Sequence, residues 1–284
     1  MPTIAAKRRA FRALHERGCF VIPNPWDIGT ARYLQHLGFP AIATTSSGAA
    51  WSLGVPDTAV GRDAMLAHVT AIVMASDLPV NADFESGYAA SPREIGENVR
   101  MCVATGVAGI SIEDSTGDRA DPLYALDEAV ARMRAARDAI DGADPDVMLI
   151  GRAECFLVGR TDIDETIGRL KAYAGAGADC LYAPGIRTRE QIAAIVQAVA
   201  PKPVNLLVGG AFGLTVKDIA DLGVRRISVG GALARAAWGG FIRAARGIAE
   251  AGSFDAFADA APFAELDSFF HEDLKRRRRA PGPA

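Results

Sequence analysis

Eight times along this chain a short apolar run is followed by a longer stretch in which apolar residues recur every three to four positions. The runs lie at 20–24, 41–46, 79–85, 108–114, 147–154, 179–184, 203–208 and 225–230. Segments such as 64–76, 95–106 and 164–177 carry the helical period between them. Gly38, Gly106, Gly177 and Gly223 each stand where a helix must end before the next run begins. Continuous apolar strands alternating with helices predict a parallel sheet covered by those helices. Eight such units predict a closed α/β cylinder, the (β/α)8 TIM barrel, rather than an open doubly wound sheet. The 284 residues contain no evident linker, so 1–284 is read as one domain.

The chain continues past the eighth unit. A helix is predicted over 251–274, one more than a minimal barrel needs, carrying Phe254, Phe257, Phe263, Phe269 and Phe270. Such a helix packs either on a neighbouring subunit or across its own barrel's flank, and the residues alone leave both open. The last segment, 275–284, opens with five basic residues, Lys275 to Arg279, and is read as a flexible, solvated basic tail.

Several function classes are disfavoured. A net charge of −3 does not suit nucleic acid. No apolar run approaches membrane-spanning length, and the N-terminus lacks a signal-like apolar region. The four cysteines show no paired or metal-ligand spacing, as expected of reduced thiols in the cytoplasm.

In a barrel of this kind, chemistry gathers at the C-terminal ends of the strands. There the sequence places Thr44 to Gly48, Asp83 and Glu85, Glu113 and Asp114, Arg152 and Glu154, Tyr182, and Asn205, with Asp57 in the loop after the second strand. Singly, Asp114 reads as a turn cap, Asp57 as a helix cap and Arg152 as half of a structural ion pair. Together, Asp83, Glu85, Glu113 and Asp57 bring anions to one rim, and crowded anions take up protons or acquire a cation. None of the four histidines lies at a strand end, which argues against zinc and a histidine base. Hard oxygen donors suit Mg2+, or Mn2+. Such an ion suits a chelating 2-oxo or 2-hydroxy dicarboxylate reacting through an enolate. Arg152 would bind one substrate carboxylate through its two-pronged edge, and the hydroxyls and N–H groups of residues 44–48 the other.

At this point the chain resembles the isocitrate lyase/phosphoenolpyruvate mutase superfamily. The matching stretches are "NPWDIGTARYLQHLGFPAIATTSSGAAWSLGVPD", "ADFESGY" for D-x-D-x-G-Y/F, "SIEDS" for I-E-D, and "GRAE" for A-R-T-D/E, within roughly 10–250. The resemblance implies a barrel whose eighth helix is swapped between subunits of a homodimer or homotetramer, and a Mg2+ site. By position, Asp83 would ligate the metal directly, and Glu85, Glu113 and Asp57 would complete its surroundings. Arg152 matches the substrate-carboxylate arginine, and Thr45, Ser46 and Ser47 fall where a carboxylate binds. The loop after the fourth strand, "DSTGDRADPLYALD", lacks the K-x-C-G-H motif of isocitrate-type lyases, and the mutase gating loop is also missing. What remains is a carbon–carbon lyase or decarboxylase for small diacids. Arg152 and Glu113 belong to its catalytic set, Tyr182 or a metal-bound water is the candidate proton carrier, and Asn205 is a substrate contact. Two alternatives stay open: a phosphonate-processing enzyme, and a non-catalytic barrel binding phosphate at the glycine pairs of "VGGAFG" and "SVGGAL".

Overall fold

A computed structural model describes residues 2–279. Its eight strands are β1 (Phe20–Ile22), β2 (Ile42–Ala43), β3 (Val80–Asp83), β4 (Gly109–Glu113), β5 (Met148–Arg152), β6 (Cys180–Tyr182), β7 (Val204–Leu207) and β8 (Arg226–Ser228). All pairings are parallel, in the order β1-β8-β7-β6-β5-β4-β3-β2. Each ladder is shorter than its apolar run because the ends turn to other partners. In the second run, Thr45 leaves the ladder to cap the following helix.

The barrel closes between β1 and β2 through the Ala43 N–H, which donates to the Pro23 carbonyl at 3.1 Å. Asn24 clips this seam. Its amide donates to the Thr44 carbonyl at 2.9 Å, and its Oδ1 accepts from the Val229 and Gly230 N–H groups at 3.0 and 2.9 Å.

The helices are α1 (Ile4–Leu14), α2 (Ile28–His36), α3 (Ser46–Ser52), α4 (Arg62–Ala75), α5 (Pro92–Ala104), α6 (Leu126–Ala143), α7 (Ile163–Gly175), α8 (Arg189–Val199), α9 (Val216–Asp221), α10 (Ala232–Ala251) and α11 (Phe263–Arg279). Helix α1 precedes the repeating units, and the eightfold pattern did not predict it. It is tied across the chain by Arg8, which donates to the Val107 and Val103 carbonyls at 2.9 and 2.8 Å. Phe11 joins Phe20, Ile22, Met148 and Ile150 in the core inside the cylinder. A larger core, built on residues such as Ile42, Ile110 and Leu149, fills the layer between sheet and helices.

Just after α1, His15 packs edge-on against Phe11 and Phe20, at 4.7 and 5.1 Å. Its Nδ1 lies 2.8 Å from the Phe11 carbonyl, and Nε2 has no partner. Burial, then the Arg226 charge, pull its pKa down to about 3. Between pH 6.5 and that value the unfolded chain holds the extra proton, so stability falls as pH falls through this window. The scale is roughly 1.4 kcal/mol per unit. His15→Leu is therefore expected to gain in urea midpoint relative to wild type as pH falls from 7 to 5, with the two proteins compared at each pH.

The C-terminal region differs from expectation. The helix predicted over 251–274 is divided into a 3₁₀ turn, Asp255–Asp259, and α11. Pro262 favours an extended residue before it, and Ala260 is already extended (φ −72°, ψ 144°). Helix α11 lies on α2 of its own chain. Phe269 packs on Tyr33 and His36 at 5.0 and 5.1 Å, and Asp273 accepts from Arg32 Nε at 3.0 Å. The other four phenylalanines of this region are exposed. The basic run to Arg279 continues α11, and the rest of the predicted tail lies outside the described residues. No helix among the described residues is long and apolar enough to cross a membrane.

Candidate active site

Parallel register puts Glu113, Arg152, Tyr182, Asn205 and Arg226 side by side as paired residues on β4 to β8. Glu113 and Asp83 close at the strand ends, where the loops begin. Arg152 is the centre of the arrangement. Its Nη1 lies 2.6 Å from Asp83, and its Nη2 lies 3.0 Å from both Glu113 and Glu154. Its guanidinium sits 5.0 Å from the centre of the Tyr182 ring.

Three carboxylates thus face one guanidinium in a nearly dry setting. Burial pushes the carboxyls of Glu113 and Glu154 above their usual range, although Arg152 opposes the shift. Burial also lifts Asp57, with Asp83 adding repulsion. Glu85 rises to about 7, mainly through burial, with Asp83 and Asp57 as further anions. Fully ionised, these groups exceed what one arginine can balance, so they take up protons or acquire a cation.

Each acid is held by its surroundings. The Asp83 N–H donates to Thr44 Oγ1 at 2.9 Å, and the Ser46 N–H donates to Asp83 Oδ2 at 3.0 Å. Glu85 has a left-handed backbone, φ +45°, in a turn with Gly87 at +85° and Tyr88 at +52°. Such a conformation costs a residue with a side chain roughly 1–3 kcal/mol and needs support from its surroundings. Here the Tyr88 hydroxyl donates to Glu85 Oε1 at 2.8 Å, and Asn98 Nδ2 donates to the Gly87 and Tyr88 carbonyls at 2.9 Å each. The Glu154 N–H donates to Asp114 Oδ1 at 2.8 Å. Asp114 also accepts from Arg169 at 3.0 Å and from the Tyr173 hydroxyl at 2.5 Å.

Beside Arg152 is a cavity of about 150 Å3. Of the residues picked out from sequence, Thr45, Ser46, Ser47, Asp57, Asp83, Arg152 and Tyr182 line it. Glu85, Glu113 and Asn205 do not. Asn205 lies below, its amide donating to Ser228 Oγ at 2.9 Å and its Oδ1 accepting from Arg226 Nε at 2.7 Å. Arg152 has its Nε edge turned to Glu154, so the two-pronged grip on a substrate carboxylate is already taken by protein acids. One Nη1 hydrogen beyond the Asp83 bond is left for a ligand. Burial pushes the Tyr182 phenol up to about 12, which keeps its proton in place at neutral pH.

Sequence reasoning passed over Arg226, a fully buried cation that also lines the cavity. The signal was present: "RRISVG" carries a charge two residues before Ser228, on the same inward face of an apolar strand. Asn24, Asn81 and Ser111 were missed likewise and line the same cavity.

Among the described residues, no group of three or more His, Cys, Asp or Glu side chains is placed to clasp an ion directly. Each Asp83 oxygen accepts one hydrogen bond and keeps a further lone pair. A surplus of hard carboxylate oxygen with two acids, Asp83 and Asp57, at the cavity wall fits Mg2+ held by few carboxylates and waters.

A profile of the family described as Phosphoenolpyruvate phosphomutase matches residues 11–249. The chain belongs to this family. A family relative, the oxaloacetate decarboxylase of Paraburkholderia xenovorans, is 33% identical over 229 residues, covering 78% of this chain and 74% of that protein. A crystal structure from Burkholderia cenocepacia, described as a lyase/mutase, is 48% identical with a TM-score of 0.91, covering 94% of this chain and 97% of the other. Phosphonopyruvate hydrolase, solved with oxalate and Mg2+, is 26% identical with a TM-score of 0.83, covering 96% and 97%. Membership of the phosphoenolpyruvate phosphomutase family agrees with the resemblance carried by "ADFESGY", "SIEDS" and "GRAE".

Proposed function

We propose that this chain is a Mg2+-dependent carbon–carbon lyase or decarboxylase that cleaves a small 2-oxo or 2-hydroxy dicarboxylate through an enolate. One observation carries the reading: a surplus of buried carboxylates around a single guanidinium, beside a cavity of about 150 Å3. Those acids need a cation, and the space suits a compact diacid. A relative named oxaloacetate decarboxylase supports this choice of chemistry.

Asp83 would hold the ion directly, and Asp57, Glu85 and Glu113 would hold its waters. When bound, the ion polarises the substrate carbonyl and offsets the charge of the enolate. The chain's own residues do the rest. Ser46, Ser47 and Thr45 hydrogen-bond a substrate carboxylate at the cavity wall. Arg152 presents its remaining Nη1 hydrogen to the reacting end. As the carbon–carbon bond of a 2-oxo diacid breaks, its electron pair passes into the enolate and carbon dioxide leaves. From a 2-hydroxy diacid the hydroxyl proton passes to a rim carboxylate and a 2-oxo fragment leaves. Tyr182, protonated at neutral pH, is placed to donate toward the enolate oxygen or carbon.

We assign the enzyme to a homo-oligomer, because α10 buries only Ala234 while Trp238, Phe241, Ile242 and Ile248 are exposed. A cytoplasmic setting accords with four free cysteines, three of them buried.

The test is turnover of oxaloacetate to pyruvate with Mg2+, together with the thermal shift on adding Mg2+. Asp83→Ala is expected to lower turnover at least about a hundredfold and to abolish the shift. Oxalate, a planar enolate mimic, is expected to inhibit. If Asp83→Ala keeps both properties, the proposal is wrong. Phosphate release from phosphonopyruvate without turnover of any diacid would move the assignment to carbon–phosphorus cleavage.

A further inference from the structure

The cavity beside Arg152 carries opposite charges at two levels. Asp83 and Asp57 supply acid at its wall, and Arg226 supplies a cation below them. The depth follows from the strands. Asn81 and Ser111 stand two residues before Asp83 and Glu113, on the same faces of β3 and β4 and one layer deeper in the cylinder. Arg226 works at that deeper level, where its Nη1 lies 3.3 Å from Asn81 Oδ1 and its Nε 2.7 Å from Asn205 Oδ1.

Arg226 is 2% exposed, yet both of these acceptors are neutral. No carboxylate pairs with it among the described residues, since Asp83 is held by Arg152 instead. Its Nη2 has no hydrogen-bond partner among them either. A buried cation left unpaired is strongly disfavoured. Burial lowers its pKa from the ordinary arginine value, the direction expected of a charge short of a counter-ion.

The neighbouring polar groups are turned the same way. The Asn81 amide donates to Ser111 Oγ at 3.0 Å, and the Asn205 amide to Ser228 Oγ at 2.9 Å. A hydroxyl that accepts in this way keeps its own hydrogen to give. Ser228 lies beside the Tyr182 phenol, whereas Ser111 lines the cavity with no acceptor among the described residues. The floor thus presents a charged N–H and a hydroxyl, both donors.

We infer that Arg226 and Ser111 form an anion subsite at the cavity floor. It takes the substrate carboxylate remote from the metal-chelating end, and so selects diacids over 2-oxo and 2-hydroxy monoacids. The chelated end rests on the lyase reading; the floor rests on the unpaired cation. A 2-hydroxy diacid keeps both carboxylates on cleavage, and the contact persists. A 2-oxo diacid that loses this carboxylate as carbon dioxide gives up the contact as the bond breaks. For such a substrate the floor strengthens binding without speeding the chemistry.

The experiment is calorimetric titration, with Mg2+ present, of malate and of its C4 amide, a neutral ligand of nearly the same shape. Wild type is expected to bind malate about thirtyfold or more tightly than the amide. Arg226→Gln is expected to shrink that ratio to about threefold, with the amide little affected. Ser111→Ala, which leaves the cation in place, is expected to reduce it about tenfold. In oxaloacetate turnover, Arg226→Gln is expected to raise KM and spare kcat. An unchanged ratio in Arg226→Gln and Ser111→Ala overturns the subsite, and so does a fall in kcat at constant KM. If Arg226→Gln does not fold, Ser111→Ala decides by the same ratio. Turnover without preference for malate over its amide sinks the floor alone. The preference without turnover of any diacid sinks the lyase reading and leaves the floor standing.

Discussion

Arg152→Met is expected to lower the stability of the folded protein by about 3–5 kcal/mol at neutral pH and to abolish diacid turnover. Methionine fills much of the space, so the loss comes from charge. Asp83, Glu113 and Glu154 would be left around an apolar group, with their shared cation gone. The pH dependence identifies the cause. Burial raises Glu113 and Glu154 above their unfolded values even with Arg152 present, and its removal raises them further. Above the unfolded pKa the folded state then holds extra protons, so the stability of the variant falls as pH rises. The gap in urea midpoint between wild type and variant should be wide at pH 7.5 and narrow at pH 5.5. Comparison at each pH cancels the opposite trend from His15, which is common to both proteins. Arg152→Lys should fall between, because an ammonium is a compact point charge without the guanidinium's planar fork. A gap of constant width would mean that these acids do not depend on the arginine.

The barrel was legible because parallel strands covered on both faces must be apolar throughout, and eight such runs have few other solutions. Asp83, Arg152 and the hydroxyls of 45–47 were legible because a polar residue ending an apolar strand has one place to go. Depth was not. Glu113 and Asn205 sit on the same strands as cavity-lining residues, yet face Arg152 and Arg226 rather than the cavity. One position along a tilted strand decides between lining a cavity and supporting its wall, and sequence does not give the tilt. Helix α1 escaped because the eightfold repeat says nothing about what precedes it. The left-handed backbone of Glu85 escaped because a residue with a side chain carries no sequence signal for positive φ. Arg226 escaped because an arginine in an apolar strand reads as a strand end until its two asparagine acceptors, from β3 and β7, are in place.

Asp114 separates what sequence suggested from what the fold built. A turn cap contributes about 1 kcal/mol; the buried group found here should contribute more. Asp114 is 2% exposed and accepts from the Glu154 N–H, Arg169 and the Tyr173 hydroxyl. Asp114→Ala strips the acceptor from a fully buried phenol and from a strand-end N–H, and leaves Arg169 with Glu165 as its one acid, at 3.2 Å, and the Tyr124 carbonyl at 3.0 Å. The expected loss is about 3–5 kcal/mol in urea denaturation at pH 7. Asp114→Asn keeps one oxygen acceptor and the shape, so its loss should be smaller, about 1–3 kcal/mol. A second effect follows from position. The Glu154 N–H is held by Asp114, and the Glu154 carboxylate holds Arg152, so loosening one end lets the guanidinium drift from the cavity wall. Oxalate affinity should therefore weaken in the alanine variant even where it remains fully folded. A loss near 1 kcal/mol with unchanged oxalate binding would return Asp114 to the role of a turn cap and detach α7 from the support of the site.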